Sequence, residues 1–149
     1  MSDTFLRLVP VDPQWTPSSD AADAAVRRLI NLLPAADHVS SRSEDGVVFY
    51  DLGEYSESIS CPGCRSDLGD WWADAMNEAY VSKFNDLAVV TPCYATRTSL
   101  NDLVYEWPAA FGSFCLEAFN PNAAAISDAD RALLEETVGA PLRVILQRI

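Results

Sequence analysis

The sequence predicts a single α+β domain over residues 1–149, with a mixed sheet, about four helices and an embedded zinc-ribbon-like knuckle. Three observations predict it. Apolar runs of strand length interleave with stretches of helical periodicity. The length of 149 residues suits one domain, long enough to bury roughly two-thirds of its unfolded surface. Hydrophobic residues make up 49%, enough for a core, so the net charge of -12 is not that of a disordered chain. No repeat or low-complexity linker divides the chain, and residues 54–100 read as an elaboration that carries the cysteines.

Thr4 to Pro10 alternates as a strand. Thr16-Pro17 then offers an N-cap and a proline at the first helical position. Ala22, Val26, Leu29, Ile30 and Leu33 follow at helical spacing, with Asp20, Asp23, Arg27, Arg28 and Asn31 opposite, and Pro34 stops the helix. The polar stretch Ala35 to Asp45 reads as a loop. Val47 to Tyr50 reads as a mostly buried strand, Gly53 as a turn, and Ser56 to Ser60 as a short strand running into Cys61.

Asp67 to Asp86 is the clearest helix, with Leu68, Trp72, Ala75, Met76, Ala79, Tyr80 and Phe84 on one stripe. Leu87 to Val90 is a strand ending at Thr91-Pro92-Cys93, and Thr96–Leu100 and Val104–Trp107 read as further short strands. Pro108 opens a helix with Phe111, Cys115 and Ala118 at i, i+4 and i+7, ended by Asn120-Pro121. Ser127-Asp128-Ala129-Asp130 resembles a capping box. That helix closes at Val138-Gly139 with a left-handed C-cap. Leu142 to Ile149 is the last strand, expected near the first in one sheet.

Acidic and basic residues are unevenly spread. Residues 37–86 hold 11 acids against 3 bases. Such a balance argues against nucleic-acid binding, which needs clustered Lys and Arg to displace counterions, and against docking on anionic lipid. The start, MSDTFLRLVPVDPQW, has no basic n-region, apolar core or small-residue cleavage site, so it does not read as a signal peptide. No apolar run approaches the ~18 residues of a membrane span. The expected location is cytoplasmic.

In a reducing compartment Cys61, Cys64, Cys93 and Cys115 read as thiols or metal ligands before disulfides. Cys61-Pro62-Gly63-Cys64 places two thiolates two residues apart, a grip for one tetrahedral metal, with Pro62 presetting a turn dihedral and Gly63 relieving the tight loop. Cys93 sits 29 positions after Cys64 and also follows a proline. These three are the expected ligands of a zinc ion. The fourth position is open to Cys115, His38, a carboxylate or water. Cys115 shares the apolar stripe of Phe111 and reads first as a small core residue; His38 reads first as a solvated loop residue. Cys61 and Cys64 without metal, as the remnant of a ribbon, are a further reading. The acids around the knuckle, Glu54, Glu57, Asp67, Asp70 and Asp74, disfavour a free redox thiolate and favour a bound dication.

CPGC, DWWADAMNEAY, LAVVTPC, TSLNDLVYEWPAAF, the NP pair and GAPLRVI together resemble an uncharacterised bacterial protein family. In it a CPxC knuckle is answered by a Pro-Cys-Cys-Gly knuckle just before Ser-Leu-Asn-Asp-Leu. The resemblance covers roughly residues 45–149, and the SLNDLxYxWP string is its most specific part. It implies a zinc-ribbon-like site of four cysteines and brings no activity or substrate. Here Tyr94 stands in place of the second Cys and Ala95 in place of the Gly, so the second knuckle is degenerate. Cys61, Cys64 and Cys93 match the pattern; Cys115 does not.

Ser99-Leu100-Asn101-Asp102-Leu103 reads first as a turn whose side chains bond the local backbone. Tyr105-Glu106-Trp107-Pro108 reads as an aromatic strand end packing on Trp71 and Trp72. Trp71 lies at the edge of its helix stripe, over the knuckle or on an interaction surface with Asp70, Asp74 and Glu78. One histidine leaves no Ser-His-Asp set, and no phosphate-binding glycine motif occurs. No catalytic or organic-cofactor residue is therefore assigned. The expected function is a protein-interaction module with a structural or lost zinc site. The alternatives are a zinc-dependent enzyme with an open three-Cys site and an acidic inhibitor or immunity protein for a basic partner.

Overall fold

Residues 3–50, 59–93, 96–105, 109–122 and 126–148 are described by a computed structural model. Its elements are β1 (Thr4–Pro10), α1 (Ser19–Leu32), β2 (His38–Tyr50), β3 (Ile59–Ser60), α2 (Gly69–Val81), β4 (Ala88–Val90), β5 (Arg97–Ser99), a 3-10 turn (Leu100–Asp102), β6 (Val104–Tyr105), β7 (Ala110–Phe119), α3 (Asp128–Val138) and β8 (Leu142–Arg148). The architecture is α+β with three α-helices among the described residues, against the four expected. No described helix is long and apolar enough to cross a membrane.

The frame is an antiparallel sheet in the order β2-β7-β1-β8. The two terminal strands do lie side by side, Thr4 opposite Arg148 through Pro10 opposite Leu142. Alternation sorts their side chains. Leu6 and Leu8 of β1, Phe114, Leu116 and Ala118 of β7, and Leu142 of β8 face one way and share a core with Ala22, Ala25 and Leu29 of α1 and Leu134 and Val138 of α3. The helices thus cover that face. Val9, Cys115 and Ile145 point the other way and form a separate small cluster with Tyr50 and Ala110.

Residues 110–119 are a strand, not the helix expected from Pro108 onward. Ala110, Phe111, Phe114, Cys115, Leu116 and Ala118 are all buried. Phe111, Cys115 and Ala118 fit helical spacing while Phe114, Leu116 and Ala118 fit strand spacing, so the period does not decide between them. Its place between β1 and β2, buried on both faces, explains the pattern. β2 also starts earlier than expected. His38 to Ser43 are polar apart from Val39, yet they pair with Phe119 to Phe114 as an edge strand, and the register shifts before Val48. An edge strand tolerates polar side chains, and Val39 alone is too little apolar signal to announce it.

Two helix ends differ as well. α1 is capped by Ser18, whose side chain accepts from the Ala21 N–H at 3.1 Å, so Thr16-Pro17 precede the cap. Ala25 is buried where Ile30 was expected, and Ile30 is exposed. α2 stops at Val81 because Lys83 and Phe84 both turn left-handed, at φ 55° and 61°. That reversal sets the Phe84 ring edge-on to Phe111, 5.3 Å between centroids, and leaves Tyr80 exposed. α3 forms as expected: the Ser127 side chain accepts from the Asp130 N–H, and Gly139 closes the helix at φ 89°.

The segment between β3 and β6 makes a second unit of local structure. Its core is Ile59, Cys61, Leu68, Ala75, Ala79, Leu87, Leu100 and Leu103, joined by Val47 and Phe111 from the sheet. Among the described residues two short ribbons, β3-β6 and β4-β5, give it its β structure. Asn101 ties it to the frame. Its amide donates to Val11 O at 2.8 Å, and its Oδ1 accepts from Phe111 N at 3.0 Å and Arg143 Nη1 at 3.2 Å. Ser99 caps the same turn by accepting from Asn101 N–H. The SLNDL string is therefore a structural clamp. Trp72 donates to the Tyr105 hydroxyl at 3.3 Å, the expected aromatic contact. Trp107, Gly53 and most of Ser56–Ser60 lie outside the described residues.

Candidate metal centre

Each cysteine of the trio sits at the tip of a hairpin. The knuckle is closed by Cys61 N–H to Ser66 O at 2.9 Å, Arg65 N–H to Cys61 O at 2.9 Å and Leu68 N–H to Ile59 O at 2.8 Å. Cys93 lies on the β4–β5 connection, which Thr91 N–H closes on Thr96 O at 2.9 Å. The two tips face each other, and the sulfurs of Cys61, Cys64 and Cys93 all lie within 4.8 Å of one another. Cys64 Sγ and Cys93 Sγ are 3.1 Å apart. Two thiolates on one tetrahedral zinc stand ~3.8 Å apart, from Zn–S bonds of ~2.3 Å. The three sulfurs can therefore hold a metal ion.

Hydrogen-bond donors aimed at the sulfurs support that chemistry. The Cys64 N–H, then the Thr91 hydroxyl, and then the Gly63 N–H lower the Cys61 thiol to about 6, against the effect of burial. Ser66, through hydroxyl and N–H, and Cys93 likewise lower Cys64. Stabilised thiolates are what a cation needs as ligands. Glu54 and Glu57 lie outside the described residues; among the described groups the donors lower both thiols, against the expectation that the surroundings disfavour thiolates. Thr91 is the residue the sequence did not flag. It is buried, accepts from Thr96 N–H at 3.1 Å, and its hydroxyl lies 3.6 Å from Cys61 Sγ and 3.4 Å from Cys93 Sγ. A Thr two residues before a candidate ligand is the only sequence signal for it.

Gly63 does not take a left-handed conformation. Its need is space, since an added Cβ would come within 3.0 Å of Thr96 Oγ1. The left-handed position of the knuckle falls instead on Arg65, at φ 66°.

The other ligand candidates separate from the trio. Cys115 packs in the small cluster with Val9, Tyr50 and Ile145. Burial raises its thiol to about 11 and raises the Tyr50 phenol too. His38 pairs with Phe119 at the far end of β7 from Phe111, so neither joins the site. Among the described residues only the three cysteines group in this way. Cys61 is wholly buried, whereas Cys64 and Cys93 are half-buried.

Trp71, Asp74 and Glu78 line one wall of a cleft of about 510 Å³, and Val89, Val90 and Arg97 of the β4–β5 hairpin line the other. Asp70 is exposed on the first turn of α2, outside that lining. A smaller cleft continues along α2 past Glu78 to Val81 and Asp86. Comparison with protein-family models, curated proteins and solved structures finds no match to the chain.

Proposed function

We propose that the protein is an interaction module in which a zinc ion on Cys61, Cys64 and Cys93 braces an acidic groove for a basic protein segment. One observation carries the proposal: the sulfurs come from the two sides of the groove. Cys61 and Cys64 precede α2, and Cys93 follows β4. An ion bound by all three would link α2 to the hairpin. Three thiolates with N–H and hydroxyl donors suit zinc, a borderline-soft ion that favours sulfur, over oxygen-seeking magnesium or calcium. Asp74 and Glu78, two acids against the single base Arg97 on the facing wall, suit with Trp71 a Lys or Arg side chain through charge and ring face. Exposed Val81 and Val90 supply apolar contact at the groove ends.

Elemental analysis of protein purified without chelator tests the metal, with one zinc per chain expected and a metal-free protein overturning the assignment. Fluorescence anisotropy tests the groove with a labelled Arg/Lys-rich peptide. Binding should weaken as salt rises, and Asp74→Asn with Glu78→Gln should weaken it about tenfold, or ~1.4 kcal/mol. Equal binding of an acidic control peptide would count against it.

A further inference from the structure

We propose that Cys64 and Cys93 form a peroxide-sensitive dithiol, and that its closure to a disulfide dismantles the metal site. The inference rests on the zinc site proposed above and names its regulation. A C-x-x-C motif by itself suggests pairing of Cys61 with Cys64. The geometry points elsewhere. Cys64 Sγ and Cys93 Sγ are 3.1 Å apart, so a covalent bond of ~2.05 Å needs only about 1 Å of closure. Both are half-buried, whereas Cys61 is wholly buried. Cys61 Sγ also faces the Thr91 hydroxyl from inside the second core. An oxidant therefore reaches Cys64 and Cys93 first.

The oxidant is hydrogen peroxide. One thiolate, of Cys64 or Cys93, attacks a peroxide oxygen and breaks the O–O bond. This gives a sulfenic acid and releases hydroxide. The second thiolate attacks the sulfenic sulfur, forms the S–S bond and displaces a second hydroxide. For hydrogen peroxide the two thiols lose two electrons and two protons, and two waters form. Zinc then loses two of its three cysteine ligands together, and Cys61 alone cannot retain it. A dithiol reductant returns both thiols and restores the site.

The test treats the full chain, as purified and zinc-loaded, with hydrogen peroxide. Released zinc is read with a chromophoric chelator, and linkages are mapped by mass spectrometry after non-reducing trypsin digestion. Cys61 and Cys64 share the tryptic peptide 43–65, and Cys93 lies in 84–97. A Cys64–Cys93 bond therefore joins two peptides, and fragmentation at the Cys61-Pro62 bond separates the two knuckle cysteines. The expected result is one Cys64–Cys93 disulfide per zinc released, both reversed by dithiothreitol. A Cys61–Cys64 or Cys61–Cys93 linkage, or sulfinic acids with no disulfide, would overturn the proposal. Cys61→Ser should keep the linkage and Cys93→Ser should abolish it, with circular dichroism confirming that each variant is folded. The same linkage in a protein that carries no zinc would remove the metal reading and leave the dithiol standing.

Discussion

The sheet frame and the cysteine unit are held together differently. In the frame, β1 pairs along its full length with β8 and over four residues with β7, and α1 and α3 cover a continuous core. In the cysteine unit the ribbons are two and three residues long, and an isolated short hairpin is marginal in water. Its order rests on a smaller core, the Asn101 clamp and the convergence of three sulfurs. Backbone pairing runs the length of one region and covers only short ribbons in the other.

The largest expected effect lies in the frame. Phe114 is wholly buried between the sheet and the helices. Phe114→Ala should cost about 3–5 kcal/mol and lower the stability of the whole chain, read by urea unfolding. Asn101→Ala attacks the joint. It strands Phe111 N–H and Val11 O, and should cost about 2–3 kcal/mol. If circular dichroism and Trp fluorescence then follow one unfolding transition as before, the joint is not the link between regions. Chelation of the proposed zinc should split the regions. Hydrogen exchange of residues 59–105 should speed up about tenfold or more, ~1.4 kcal/mol, while β1, β7 and β8 keep their protection. Uniform loss across both would erase the distinction.

Smaller effects sharpen it. Arg65→Gly should stabilise the cysteine unit by up to about 1 kcal/mol, since glycine accepts the left-handed backbone without a Cβ penalty. The thermal midpoint of the zinc-loaded protein measures it. Cys115 contrasts with the trio in reactivity. Its thiol lies above its ordinary value of 9.0, at about 11, because it is buried in the frame. The folded state therefore holds that proton more tightly than the unfolded state does. The resulting stabilisation is complete below pH 9 and is lost as pH rises toward 11. At pH 8 iodoacetamide should label Cys64 and Cys93 of the apoprotein, and reach Cys115 only on unfolding.

Much of this was legible in the chain. Thr4–Pro10 and Leu142–Arg148 alternate visibly, and Ser127 with Gly139 brackets α3 by local chemistry alone. CPGC and TPC marked the trio because thiols at that spacing have a chemistry of their own. The hidden parts share a cause. β7 carries apolar residues at both helical and strand spacing, so its period carries no information, and the largely polar part of β2 is a strand only because β7 lies beside it. Asn101 looked local because its long-range partners come from β7, β8 and the segment after β1.

The sequence by itself determined the α+β class, the terminal strands, α3 and the three candidate ligands, each through a signal confined to a few neighbouring residues. Only the tertiary structure decided that residues 110–119 are the strand between β1 and β2. It also set Cys115 and His38 apart from the trio and brought Cys64 close to Cys93 rather than leaving the pairing to the C-x-x-C spacing. Those outcomes depend on which distant segments meet, and burial and sulfur–sulfur distance are properties of the meeting, not of the chain.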